Sequence, residues 1–90
     1  MTIKFRIYSR KINRKHLPKT KKLLAWFKRN KIKPQMVDVT TKKGFQSADR
    51  NKIMRLPTVL VIVNRRIVDR AWTIGELRKA LNDYKKKRRR

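Results

Sequence analysis

Residues 56–63 read LPTVLVIV, and residues 64–72 continue as NRRIVDRAW. The first segment is almost entirely β-branched or apolar, which is typical of a strand buried on both faces of a sheet. The polar link at 64–66 predicts a tight turn, after which IVDRAW returns as an antiparallel partner. This hairpin is therefore expected to form the centre of a sheet.

Another strand and a helix are predicted in the N-terminal third. Ile3, Phe5 and Ile7 alternate with charged residues and a tyrosine in a period of two, as in a half-buried strand. Pro18 suits the first turn of a helix, because its missing N–H group has no partner there. We expect that helix to continue to about Asn30. Its apolar face is predicted to contain Thr20, Leu23, Leu24 and Phe27.

The middle of the chain is expected to hold a strand and a short helix. Pro34 ends the first helix, and residues 36–39 read as a strand. Gly44 is expected to break the chain before a helix over 45–55, with Ser47 as a candidate cap. The packing residues predicted for that helix are Ala48, Ile53 and Met54.

A last helix is predicted after the hairpin, where Thr73 and Glu76 have capping-box spacing. The resulting order is β-α-β-α-β-β-α. The helical crossover makes the first two strands parallel, whereas the short link at 64–66 makes the last two antiparallel. The sequence therefore predicts one α/β domain over residues 1–84 with a four-stranded mixed sheet, followed by a basic, flexible tail at 85–90.

Charge is the strongest signal in the composition. The 90 residues include 29 lysines and arginines and five acids, a formal net charge of +24. Repulsion of this size disfavours a compact fold unless a polyanion is nearby, so nucleic acid is the expected partner. No apolar run approaches the ~20 residues that span a bilayer, and no signal-peptide core is recognised. We expect a cytoplasmic protein without a membrane partner, and association with a nucleoid stays open.

Residues that carry most enzyme chemistry are missing or scattered. The chain has no cysteine, which excludes disulfides and thiol redox chemistry. The single histidine, His16, is interpreted as polar surface. No glycine-rich phosphate loop or nucleophile elbow is present. The carboxylates are scattered along the chain, at Asp38, Asp49, Asp69, Glu76 and Asp83. We therefore expect no catalytic activity, no metal and no cofactor.

Four short segments resemble the glutaredoxin branch of the thioredoxin fold, over roughly residues 2–84. They are IYS at 7–9, TKKLL at 20–24, VDVTT at 37–41 and LPTVLVI at 56–62. The resemblance implies a single thioredoxin-fold, glutaredoxin-like domain. It also implies that Pro57 occupies the position of the family's cis-proline.

The reactive positions of that family are changed in this chain. Counting back from Thr20, the two redox cysteines would fall near Arg14 and Leu17, and neither residue can form a thiolate. The glycine pair that precedes the family's last helix is replaced by VDRAWT at 68–73. The resemblance thus implies a scaffold that has lost electron transfer, and it does not predict glutathione binding.

Positive charge is concentrated in the first part of the chain, because residues 1–35 contain 13 lysines and arginines and no acid. The loop after the first strand and the start of the first helix are predicted to bind phosphate, helped by the potential of the helix N-terminus. The candidates there are Arg10, Lys11, Arg14, Lys15, Lys19, Lys21 and Lys22. The surface is expected to extend through Arg65, Arg66, Lys85, Lys86, Lys87, Arg88, Arg89 and Arg90.

Phosphate contacts predict weak sequence preference. Asn13 and Gln46 are candidates for base readout. Core packing is the expected role of the aromatic residues that could otherwise stack on single strands, namely Tyr8, Phe5, Phe27, Phe45, Trp26 and Trp72. Duplex DNA is therefore the favoured partner, with structured RNA close behind. The runner-up is a basic module that docks on an acidic protein surface, such as that of a polymerase.

Overall fold

The computed structural model describes residues 3–12 and 15–88. Its elements are β1 (Ile3–Ser9), β2 (Lys11–Ile12), β3 (Lys15–His16), α1 (Pro18–Arg29), β4 (Gln35–Asp38), α2 (Lys42–Arg50), β5 (Thr58–Val63), β6 (Arg66–Ala71) and α3 (Ile74–Arg88). The main sheet has the order β4-β1-β5-β6. β1 is parallel to β4 and antiparallel to β5, and β6 is antiparallel to β5. The predicted α/β class and four-stranded mixed sheet are confirmed.

β5 is buried on both faces, as its composition predicted. Val59 and Val61 lie in a core with α1 and α3, whereas Leu60 and Ile62 lie in a second core beneath α2. The sheet therefore separates α1 and α3 from α2. The larger core also contains Phe5, Ile7, Leu23, Trp26, Phe27, Ala71, Leu77 and Ala80. The predicted apolar face of α1 is confirmed, with Thr20, Leu23 and Phe27 buried and Leu24 half-buried.

The second helix begins and ends earlier than the sequence predicted. It spans Lys42–Arg50 rather than 45–55, because Thr41 and not Ser47 is the N-cap. The Thr41 side chain accepts a hydrogen bond from Gly44 N at 3.0 Å. Gly44 consequently lies inside the helix rather than before it.

Close contacts hold α2 against β4 and β1. A Cβ atom at Gly44 would collide with the carbonyl group of Asp38, so α2 approaches β4 at a distance that only glycine permits. Ser47 Oγ and Tyr8 Oη are hydrogen-bonded at 2.6 Å, and Asn51 Nδ2 donates to the same Tyr8 oxygen at 3.1 Å. Tyr8 is fully buried as a result.

Two apolar residues expected to pack are exposed instead. Phe45 is 65% exposed on α2, and Met54 is 89% exposed in the connection between α2 and β5. The expectation for Met54 was wrong because the helix ends at Arg50, four residues before it. The expected burial of Trp26 is confirmed, and Trp72 is half-buried.

Helices α1 and α2 end in the same tetrapeptide, RNKI, at residues 29–32 and 50–53. In each, the asparagine side chain donates to the carbonyl four residues earlier, at 2.8 Å and 2.9 Å. The isoleucine N–H bonds to the carbonyl five residues earlier, at 2.9 Å in both. Lys31 and Lys52 adopt the left-handed conformation, with φ of 57° and 54°. Both endings are Schellman motifs with lysine where glycine is most common.

Two further boundaries differ from the expected ones. The basic segment after β1 was expected to be a plain connection, but it contains a hairpin in which Lys11 pairs with His16. The chain from Lys85 was expected to be a flexible tail, but α3 continues to Arg88. Arg89 and Arg90 lie outside the described residues. No helix in the described part of the chain has the length and apolar character needed to cross a bilayer.

The predicted cap by Thr73 at the start of α3 is confirmed, but the reciprocal bond from Glu76 is made to Trp72, one residue before the cap. Glu76 N donates to Thr73 Oγ1 at 3.2 Å, and Glu76 Oε1 accepts from Trp72 N at 3.2 Å. These bonds satisfy two backbone donors at the helix start.

Candidate nucleic-acid interface

The two ends of the main sheet carry different parts of the predicted site. At one end, which we call the loop end, β1 finishes at Ser9 and β5 begins at Thr58. At the other, the turn end, β1 begins beside the β5–β6 turn, since Ile3 pairs with Val63. β1 has seven residues, so the two ends are about 20 Å apart.

The hairpin of β2 and β3 forms one side of the loop end. A buried hydrogen bond of 2.7 Å between Ser9 Oγ and Thr20 Oγ1 ties the end of β1 to the first turn of α1. The chain between these anchors must therefore fold back on itself, and Arg10, Lys11 and Lys15 are exposed on it. Two of the predicted residues in this segment, Asn13 and Arg14, lie outside the described residues.

The start of α1 adds a cationic rim to a groove at the loop end. Lys19, Lys22 and Arg55 line this groove, whose volume is about 220 Å³. Its apolar lining is formed by Leu23, Leu56, Pro57, Trp72 and Ile74. Lys21 is exposed on α1 but does not line the groove.

Arg55 is a member of this site that the sequence did not single out. Its guanidinium lies 5.3 Å from the centre of the Trp72 ring, within cation–π range. Trp72 Nε1 donates to Thr58 Oγ1 at 3.1 Å, and Thr58 Oγ1 donates to the Arg55 carbonyl at 2.5 Å. Arg55 directly precedes the LPTVLVI segment, and this adjacency is the signal that could have identified it. The Leu56–Pro57 peptide bond is cis.

We call the six exposed cations of this end the loop-end cluster. They are Arg10, Lys11, Lys15, Lys19, Lys22 and Arg55. They lie on three structural elements, namely the hairpin, the start of α1 and the segment before β5, which meet at this end of the sheet. The cluster therefore contains five of the seven candidates predicted between residues 10 and 22, with Lys21 and Arg14 excepted.

The carboxylate of Asp38 lies beside the hairpin cations of the loop-end cluster. Asp38 lines a groove of about 230 Å³ together with Arg10, Lys11 and His16. Its Oδ1 accepts hydrogen bonds from Thr40 Oγ1 at 2.6 Å and Thr40 N at 2.9 Å. These bonds lower the pKa of Asp38, and the positive charges of Lys11 and His16 act in the same direction. A negative charge thus offsets part of the cluster at neutral pH.

His16 contributes a polar atom to the same groove. Its Nδ1 is buried and has no hydrogen-bond partner among the described residues. The remainder of the side chain is only half-buried. No group of three or more potential metal ligands occurs in the part of the chain that the structure describes.

Other predicted residues lie away from the loop end. Arg65 and Arg66 are exposed at the turn end, so they do not extend the loop-end cluster. α3 starts at the loop end and spans 15 residues, about 22 Å, which carries its last turn to the turn end. Lys85, Lys86, Lys87 and Arg88 are in that turn, and their side chains are outside the described part. Gln46 is exposed on α2, apart from the cluster.

Comparison with known proteins adds no relative to this picture. No model of a protein family, no curated protein and no solved structure matches the chain.

Proposed function

We propose that this protein binds nucleic acid through phosphate contacts made by the loop-end cluster, with duplex DNA favoured and no catalysed reaction. The observation that carries the proposal is the convergence of six exposed cations from three structural elements on one end of the sheet. Nucleic acids present closely spaced phosphate groups, and several cations on one surface can bind several of these phosphates at once. Contacts of this kind position a backbone without reading bases, so sequence preference is weak.

The proposal includes a thioredoxin-like scaffold that has lost its redox chemistry. The sheet order β4-β1-β5-β6, with α1 and α3 on one face and α2 on the other, supports this assignment. The hairpin and the start of α1 occupy the place where the family carries its cysteines. Electrostatic attraction replaces thiolate chemistry at that place, and no cofactor is required. A cytoplasmic location with access to a nucleoid belongs to the same proposal.

A salt titration with a labelled random-sequence duplex tests the proposal. If about six phosphates are neutralised, the logarithm of the association constant falls against the logarithm of salt concentration with a slope near −5. Replacing Arg10, Lys11, Lys15 and Lys19 with glutamine should make the slope shallower by about 0.9 for each phosphate that the variant no longer neutralises. Fluorescence anisotropy measures both quantities.

A matched variant separates a local site from general charge. Replacing Lys28, Lys52, Arg78 and Lys79 with glutamine removes the same number of lysines and arginines from exposed positions outside the loop-end cluster. We expect this control to retain most of the affinity. Equal losses in both variants, or an affinity that does not depend on salt, would contradict the proposed site. Parallel titrations with duplex RNA decide between the two nucleic acids.

The groove beside Trp72 favours a second candidate function, the docking of an acidic protein segment. Its apolar lining could take a hydrophobic side chain, while Lys19, Lys22 and Arg55 at its rim attract carboxylates. The discriminating measurement is a mobility shift on random-sequence DNA at low salt, with and without heparin. No shift in either condition would favour the protein partner.

A further inference from the structure

Half of one sheet face has no helix over it. Along β1, Phe5 and Ile7 point to α1 and α3, so Lys4 and Arg6 point to the side of α2. α2 has nine residues, about 13 Å, and it packs on the loop-end half through Tyr8. The turn-end half of this face therefore stays open.

Four cations line this open half, which we call the turn-end groove. They are Lys4, Arg6, Lys33 and Arg65, and the groove has a volume of about 810 Å³. Ile62, which belongs to the core beneath α2, lies at the boundary of the open half, and its exposed partner across the two strands, Ile67 of β6, provides apolar lining. No carboxylate is among the described residues that line it. This arrangement is complementary to a polyanion rather than to a neutral or cationic partner.

Arg6 is held in place for such a partner. Its Nε donates to Gln35 Oε1 at 3.1 Å, and its Nη1 donates to Tyr8 Oη at 3.5 Å. Neither bond uses Nη2, which is therefore available to an incoming acceptor. β1 is hydrogen-bonded to a strand on each side, so the backbone that carries Arg6 is rigid. A phosphate at this position would require little reorganisation of the protein.

Arg65 lines the groove from a conformation that is unfavourable for arginine. Asn64 and Arg65 form the two-residue β5–β6 turn with φ of 51° and 68°. Glycine is strongly preferred at the second of these positions, because a Cβ atom crowds the backbone there. An outlier of this kind supports a role for the side chain that the turn carries.

We propose that the turn-end groove is a second phosphate-binding surface, which binds the sugar–phosphate backbone of a second nucleic-acid segment. The inference rests on the proposed function for the first segment. The turn-end groove opens on the face of the sheet that carries α2, whereas Lys19 and Lys22 of the loop-end cluster lie on α1, which covers the opposite face. Duplex DNA has a persistence length of about 150 base pairs, so one duplex stays straight over this small molecule and does not follow it from one face to the other. A single protein molecule that engages both surfaces therefore bridges two segments.

A capture assay tests the bridging. Duplex DNA is immobilised on beads, saturated with protein and washed, and a labelled duplex is then added. The wild-type protein should retain the labelled duplex. Replacing Lys4, Lys33 and Arg65 with glutamine should reduce capture by about tenfold while changing affinity for a single duplex by about threefold or less. Circular dichroism and thermal melting check that the variant is folded.

The matched control replaces Lys28, Arg78 and Lys79 with glutamine, which again removes two lysines and one arginine from exposed positions. This control should capture the second duplex as the wild type does. Capture that survives in the turn-end variant overturns the inference and leaves the proposed function standing. Wild-type protein that binds one duplex but captures no second one also overturns the inference alone. Protein that binds no duplex at all overturns the inference and the proposed function. The same assay with duplex RNA identifies which nucleic acid occupies the groove.

Discussion

The loop end and the turn end both present cations, but on different supports. At the loop end, the cations lie on a hairpin with strands of two residues, on the first turns of α1 and before β5, around an apolar groove and with Asp38 beside the hairpin. At the turn end, they lie on β1, before β4 and in the tight turn after β5, with no carboxylate among the described residues that line the groove. Similar charge is thus carried by a hairpin and a helix at one end and by the main sheet with its connections at the other.

This difference indicates how each end would contribute to binding. Side chains on a short hairpin can follow an irregular backbone, but they lose conformational freedom when they do so. At the turn end, Arg6 is hydrogen-bonded to Gln35 and Tyr8, so it loses less freedom but fits only a phosphate that arrives at its fixed position. The loop end is therefore expected to supply most of the affinity, and the turn end to supply geometry.

Charge reversal is expected to have the largest effect and to test that division directly. Replacing Arg10, Lys11 and Lys19 with glutamate should weaken duplex binding at least about 100-fold at low salt, because three attractions become repulsions. Replacing Lys4, Lys33 and Arg65 with glutamate should weaken it about tenfold. Fluorescence anisotropy on one duplex measures both variants. Equal effects would show that the two ends are equivalent.

Gly44→Ala should reveal how strongly the loop-end half of the sheet depends on α2. The new Cβ atom collides with the Asp38 carbonyl, so we expect a loss of about 1–3 kcal/mol in the free energy of unfolding. Gly75→Ala is the control, because its Cβ atom would have Thr73 Oγ1 as its neighbour at 3.9 Å. That substitution should be neutral or stabilising by about 0.5–1 kcal/mol. Urea denaturation of both variants decides, and equal effects would contradict the close approach of α2 to β4.

Arg65→Gly should separate stability from binding at the turn end. Glycine relieves the left-handed conformation, which stabilises the fold by about 1 kcal/mol. The same change removes one cation from the turn-end groove, so capture of a second duplex should fall. Melting temperature and bead capture are measured on the same preparation. A variant that is more stable and captures the second duplex as well as the wild type would show that Arg65 does not contribute to binding at the turn-end groove.

Asp38→Asn should have the smallest effect on duplex binding, and it tests whether this carboxylate opposes binding at the loop end. Removing the carboxylate beside Lys11 should raise affinity for duplex DNA by about two- to threefold. A decrease in affinity would contradict the placement of the loop-end cluster.

The same variant tests the pKa of Asp38. Because the pKa is lowered from 3.8 in the folded state, the stabilisation is complete above that value and is lost as pH falls below it. Asp38→Asn should remove this part of the acid dependence of the melting temperature. An unchanged dependence would assign it to other carboxylates.

The main sheet could be predicted because its signals are local. The apolar segment at 56–63 and the alternation at 3–7 each reveal burial from their own residues. The start of α2 could not be predicted in this way, since its cap depends on Thr41 and Gly44 within a lysine-rich stretch that resembles a loop.

The candidate site was predicted less completely than the fold. Residues 10–22 are neighbours in sequence and also in space, so counting cations could identify the loop-end cluster except for Arg55. The turn-end groove combines Lys4 and Arg6 of β1 with Lys33 and Arg65, which are far from them in sequence and meet them only because β1, β4 and β5 are adjacent in the sheet. The period-two pattern places Lys4 and Arg6 on one face, but the length of sheet that α2 leaves open depends on where that helix begins.

The repeated RNKI ending places a lysine of each helix, Lys31 or Lys52, at a position where the backbone conformation favours glycine. Lys31 and Lys52 occupy the backbone geometry that suits glycine best, so each helix would close more comfortably without its lysine. Selection for thermal stability alone would favour glycine over lysine at these two positions. The proposed function accounts for their presence, because a bound polyanion would neutralise the repulsion among the protein's own cations.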